Sequence, residues 1–213
     1  NHAPIEDCGE CSGLSCVACY SGSDCAPGPD YLEDTCCALG DNLIYLVPGA
    51  GAEVVDLETD ESFAYLCGGF GVRVSDVSNP AAPGFVASAS SRCQRIGIGP
   101  PLPDGGRIIY LAHHGDSWVD TPFLRTYHRS TTGDMVEVDA IVDPDVLFEG
   151  LAWHDDRLYV AAHGGGVRTY ATDADGVPAL LGVLDGFENA WKIDIGPGFA
   201  YVADAELGLV VLS

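Results

Sequence analysis

The sequence contains a single lysine, Lys192, and only nine basic residues against 32 acidic ones. Its formal net charge is −23. Phosphate recognition needs clustered Lys and Arg, so nucleic acid is excluded as a partner. An anionic bilayer surface is disfavoured for the same reason, whereas cations and basic partners stay open. No apolar run approaches the ~18 residues of a membrane-crossing helix, so no membrane insertion is expected. Nor does any stretch hold apolar residues at helical spacing for long. No serine sits in a nucleophile-elbow context, and no glycine-rich turn leads into a helix that could cradle phosphate. No catalytic residue is therefore assigned. A chain that opens on Asn is expected to be a processed secretory product or a fragment.

What is plentiful is glycine (27) and proline (13), the residues of a chain with many turns. With 213 residues, 47% of them hydrophobic, the chain can bury one sizeable core, with or without a small appendage. The nine cysteines are uneven: seven fall between Cys8 and Cys37, and only Cys67 and Cys93 lie beyond. "CGECSGLSCVAC" (8–19) holds two CxxC pairs, but four residues between Cys11 and Cys16 are few for a zinc ribbon. Residues 1–40 are therefore expected to form a disulfide-stapled segment, with most of Cys8, Cys11, Cys16, Cys19, Cys25, Cys36 and Cys37 paired. That implies an oxidising compartment and an extracellular or cell-surface location. An odd count leaves at least one thiol free or paired outside the chain.

Residues 41–213 read as a repeat. "SFAYLCGGFGVRVSDVS" (62–78), "RIIYLAHHGDSWVDTPFLRTYHRS" (107–130), "RLYVAAHGGGVRTYATD" (157–173) and "GFAYVADAELGLVVLS" (198–213) each hold a Tyr-centred apolar strand, a turn and a second strand. The tyrosines stand at 65, 110, 159 and 201, at intervals of 45, 49 and 42. Short strands precede each copy ("AEVVDLE", "CQRIGIG", "EGLAWH", "AWKIDIG"), and others follow the first three ("GFVASAS", "MVEVDAIV", "ALLGVLD"). Four strands at this period predict an all-β fold, a β-propeller of four-stranded antiparallel blades. About four blades are present, the last lacking its outer strand. "DNLIYLVPG" (41–49) could supply it and seal a ring; an open arc, or a fragment of a larger propeller, is slightly favoured. Arg73, Arg125 and Arg168 recur with the blade and are expected to pair with acidic side chains between strands.

"AYLCGGFGVRVSDVSNPAAPGFVAS" and "AYVADAELGLVVLS" resemble the LVIVD repeat, a propeller repeat of bacterial and archaeal surface proteins. The likeness runs over about 51–213 and is looser in the second copy. It implies the propeller fold and a cell-surface setting, and it supplies no catalytic residues.

Strand polarity locates the chemistry. The innermost strand runs away from one face and the second returns to it, so the second-to-third turns share a face with the starts of the inner strands. Arg95, Glu149 and Lys192 are expected to line the axial mouth, with His113, His114, Asp116, His163 and Asp204 around it. His154 belongs on the opposite face. Imidazoles of neighbouring blades with Glu149 or Asp204 form a candidate site for a divalent metal (Zn, Cu or Fe). Histidine and aspartate also serve simply as strand-end residues. Arg95, Asp116, Trp118 and Lys192 are candidate ligand contacts. The expected function is a secreted or cell-surface module that binds a protein or glycan on this face. The alternative is a metal-dependent propeller hydrolase or oxidoreductase with its histidine ligands at the mouth.

Overall fold

A computed structural model describes residues 54–79, 83–115 and 121–213. The Cys-rich segment, its boundary near residue 40, the strand expected at 41–49, Asp116 and Trp118 lie outside the described residues. The chain divides into two compact units, Ala52–Asp76 with Phe85–Ser213, and Asn1–Gly51 with Val77–Gly84. Nearly all the described residues belong to the former.

Fifteen strands and no helix are found among the described residues. Blade 1 is β1 (Val54–Thr59), β2 (Phe63–Gly68), β3 (Gly71–Asp76) and β4 (Gly84–Ala89). Blade 2 is β5 (Arg95–Pro101), β6 (Arg107–His113), β7 (Phe123–Arg129) and β8 (Met135–Val142). Blade 3 is β9 (Leu151–His154), β10 (Arg157–Ala161), β11 (Val167–Thr172) and β12 (Pro178–Leu184). Among the described residues blade 4 holds three strands, β13 (Ala190–Gly196), β14 (Phe199–Asp204) and β15 (Gly208–Leu212). Strands follow chain order within each blade, and among the described residues those with a register are paired antiparallel. The fold is a four-bladed β-propeller. β1, β5, β9 and β13 are innermost and together line a cavity of about 170 Å³ on the axis.

Burial explains the sequence pattern. The second strand of a blade is covered on both faces by its neighbours, so β6 reads as an unbroken apolar run (IIYLA), buried throughout. The outer strand β12 meets solvent, and most of it is exposed. Three apolar clusters fill the interfaces between successive blades. The blade tyrosines reach across them: Tyr110 donates its hydroxyl to Gly176 O of blade 3 at 3.0 Å. Tyr201, at the same position of blade 4, is 38% exposed. Among the described residues no buried apolar cluster joins blade 4 to blade 1.

Two polar devices lock blade 1 to blade 2. Asp60 Oδ1 accepts from the amides of Ser62 and Phe63, and its Oδ2 accepts from Tyr65 Oη at 2.7 Å and Arg129 Nη2 at 2.8 Å. Arg129 Nε donates to Tyr65 Oη at 2.7 Å, and the guanidinium lies 4.4 Å over the Phe63 ring. Beside this network, Cys67 of β2 is disulfide-bonded to Cys93, just ahead of β5, across a Cα–Cα distance of 5.6 Å. Both sulfurs belong to buried residues. Of the three recurring arginines, Arg125 makes the expected cross-strand pair, with Glu137 Oε2 at 2.6 Å.

Candidate functional site

The chain leaves β10 through a turn that is unusual locally. His163 has φ +49°, a left-handed conformation that side chains with a Cβ rarely adopt. Its backbone is held there by a two-way bridge to Ala190 at the start of β13: His163 N donates to Ala190 O at 3.0 Å, and Ala190 N donates to His163 O at 3.2 Å. The glycines after it allow the sharp return; a Cβ on Gly166 (φ +75°) would lie 2.3 Å from Leu184 O. The result aims the His163 ring inward, toward the start of blade 3.

There it meets Glu149, whose side chain is 1% exposed. Glu149 N donates to Ala161 O at 2.9 Å, which fixes it just ahead of β9. The next residue, Gly150, must be glycine: a Cβ would sit 2.6 Å from the Cα of Lys192 and 2.8 Å from Trp191 O. Glu149 Oε1 pairs with Arg95 Nη2 at 2.6 Å. Its Oε2 accepts a short hydrogen bond from His114 Nδ1 and faces His163 Nε2 at 3.5 Å. Burial alone would raise the Glu149 carboxyl. The His114 hydrogen bond and the charge of Arg95 outweigh it, so the group is held below the usual carboxylate range. The carboxylate is therefore ionised and buried, supported by three nitrogen-bearing side chains from blades 2 and 3.

Each ring is also held from behind. Gln94 Oε1 accepts from His114 N, and Gln94 Nε2 donates to His114 Nε2, both at 2.9 Å. His114 thus carries its proton on Nδ1. His163 Nδ1 donates to Asn189 Oδ1 at 2.7 Å. Trp191 closes one side, its ring centroid 4.7 Å from that of His163 and 6.2 Å from that of His114, while remaining 38% exposed.

The structure brings together Arg95, His114, Glu149 and His163 from among the candidates read in the sequence. His114, Glu149 and His163 each offer a ligand atom within 4.8 Å of the others. His113 is not among them. It is the last residue of β6 and is buried against Phe123, at 5.2 Å between rings, whereas His114 follows the strand. Counted from the blade tyrosine, His114 and His163 are the equivalent pair, four residues after Tyr110 and Tyr159. Asp204 is also engaged elsewhere. Its Oδ2 accepts from the amides of Glu188 and Asn189, and its Oδ1 from those of Glu206 and Leu207. It brackets the loop that carries Asn189 instead of facing the mouth. These four N–H donors hold its carboxyl low despite burial. Lys192 lies on β13 and acts on the axial cavity. There Glu58 is raised by burial and by Asp56 and Asp194, with Lys192 opposing. His154 stands apart with Asp155 at 3.3 Å, beside a cleft between blades 3 and 4.

Gln94, Asn189 and Trp191 were not singled out from the sequence. Gln94 had a usable signal: its N–H bonds Ala112 O as that of Glu149 bonds Ala161 O, so both stand at one position of the repeat. Trp191 had none. The ladder of β13 on β14 shifts between Ala190 and Lys192, and the residue left over is Trp191. Such a bulge re-aims a side chain.

Residues 52–90 and 188–212 match the family model described as LVIVD repeat. No curated protein matches the chain. Among solved structures, the computationally designed Ika4 protein is similar over 79% of this chain and 96% of its own, at 10% identity and a TM-score of 0.52. The RRP9 WD40 repeats are similar over 74% of this chain and 47% of their own, at 12% identity and a TM-score of 0.53. For U3-55K the figures are 78%, 53%, 12% and 0.54. The chain thus spans about half the length of the latter two. At these identities the likeness is one of fold.

Proposed function

Taking the chain as an LVIVD-repeat β-propeller, we propose that it is a secreted or cell-surface binding module. Its ligand, a protein surface or a glycan, docks on the face that carries the mouth. One observation carries this reading: a half-exposed aromatic, Trp191, stands over a buried charged cluster, Arg95–Glu149 with His114 and His163. An exposed aromatic anchored by a rigid polar base is the usual core of a recognition site. It can stack on a sugar ring or fill a pocket of a partner protein, while the Arg95 guanidinium and the imidazoles supply directional hydrogen bonds.

Two features support an extracellular setting. The buried Cys67–Cys93 bridge belongs to an oxidising compartment. A net charge of −23 with one lysine suits a solvent-exposed acidic coat.

The test is capture by immobilised chain of a panel of polysaccharides and of surface proteins from the producing cell. Wild type is expected to retain one class of ligand, and Trp191→Ala is expected to lose it. Equal capture by the two chains moves the site off the mouth. Efficient reduction of Cys67 and Cys93 in protein taken directly from cells would count against secretion.

A further inference from the structure

We propose that the mouth holds a divalent transition ion, Zn2+ in the first instance, between His163 Nε2 and Glu149 Oε2, with His114 as the third ligand. The inference rests on reading the mouth as a ligand site, and it names an ion that belongs there whatever larger partner docks above it.

The carrying observation is a convergence of ligand atoms: His114, Glu149 and His163 each offer one within 4.8 Å of the others. His163 donates its Nδ1 proton to Asn189 Oδ1, so in the neutral ring Nε2 carries the lone pair. That nitrogen is buried, has no hydrogen-bond partner, and faces Glu149 Oε2 3.5 Å away. Two electron-rich atoms at this separation repel unless a proton or a metal ion lies between them. The gap has the right size. Adjacent ligands of a tetrahedral ion with bonds of about 2.1 Å stand roughly 3.4 Å apart.

The surroundings are those of a prepared ligand pair. Asn189 orients the second nitrogen of His163, as metal-binding histidines require. Asn189 is itself fixed, because its N–H is held by Asp204 Oδ2 at 2.9 Å. Arg95 occupies only Oε1 of Glu149, which leaves Oε2 for the ion, although its charge weakens the site somewhat.

His114 joins on a condition. At present its Nδ1 proton points at Glu149, where the ion would sit, and its Nε2 accepts from Gln94. To ligate through Nδ1 the ring must carry its proton on Nε2 instead. Gln94 must then turn its amide oxygen to that proton and release the backbone N–H of His114. Gln94 is thus a positioning residue that sets the affinity. A glutamate there has two oxygens and can serve both donors at once. Three protein ligands leave a fourth position open beneath Trp191.

The experiment is calorimetric titration of the full chain with Zn2+ alone, with Co2+ absorption as a second readout. The wild type is expected to bind one more ion than His163→Asn. Asparagine is chosen because it tolerates the left-handed backbone at 163, and the cysteines are common to both chains, so thiol-bound zinc cancels. Asn189→Ala is expected to weaken the site about 10–100-fold, and it carries the test if the 163 variant does not fold. Gln94→Glu is expected to tighten the site and to change the pH dependence of binding, a result that a purely structural glutamine would not give. Equal zinc stoichiometry in wild type and both His163→Asn and Asn189→Ala, or no site at micromolar Zn2+, overturns the proposal; the gap then holds a proton. Trp191→Ala separates the two readings, since it should abolish macromolecular capture while the chain still binds one more ion than His163→Asn.

Discussion

Replacing Asp60 by Asn removes one negative charge from the interface of blades 1 and 2 and changes little else. The amide oxygen still accepts from Ser62 N and Phe63 N, at the sites now 3.0 and 2.9 Å from Oδ1. Its NH2 group, however, now faces two donors, Tyr65 Oη and Arg129 Nη2. The Arg129 charge, on a side chain 6% exposed, loses its counter-ion. Breaking a buried pair from one side costs about 3–5 kcal/mol, and solvent screening offers little relief at this depth. Urea unfolding followed by tryptophan fluorescence and near-ultraviolet circular dichroism reads the loss.

Arg129→Met alone leaves Asp60 with three other donors, so its cost is smaller. In the double variant Asp60→Asn/Arg129→Met neither charge is stranded, and the loss should fall short of the summed singles by about 2–3 kcal/mol. The pH dependence adds an independent check. Burial raises the Asp60 carboxyl, but the Tyr65 hydroxyl, the two amides and Arg129 lower it further, so its folded value lies below the ordinary one. Stability from this group is complete above the unfolded pKa of about 3.9 and is lost as pH falls through the folded value. The gap between wild type and Asp60→Asn should therefore narrow below about pH 4. A cost under ~1 kcal/mol for Asp60→Asn, or strict additivity in the double variant, refutes the buried-pair account.

Two further outcomes are expected. Opening the Cys67–Cys93 loop by paired serine substitution, at a sequence separation of 26, should lower stability by about 3.5 kcal/mol by chain entropy; a urea midpoint unmoved by the change would show that the bridge adds nothing. Gly150→Ala should push β9 from β13, lower stability by about 1–3 kcal/mol and displace Glu149 from the mouth. Wild-type zinc affinity and urea midpoint in that variant would show that the close approach at Gly150 is not needed.

The sequence by itself determined the blade. Tyrosines at 65, 110, 159 and 201 mark the second strands, and apolar alternation with Gly, Pro and Asp turns marks the rest, because period-2 patterning and turn chemistry are local properties of the chain. It also determined that His114, His163 and Glu149 share a face, since strand polarity alone dictates which turns return to the start of the inner strands. Tertiary structure decided what those residues do there. Asp204 was as good a ligand on paper as Glu149, yet four backbone amides claim it, and amides brought together by a loop have no sequence signature. His113 and His114 are neighbours in the chain, but the end of β6 buries one and presents the other. Trp191 reached the mouth through a bulge. These outcomes depend on contacts between residues far apart in sequence, and such contacts exist only once the blades have packed.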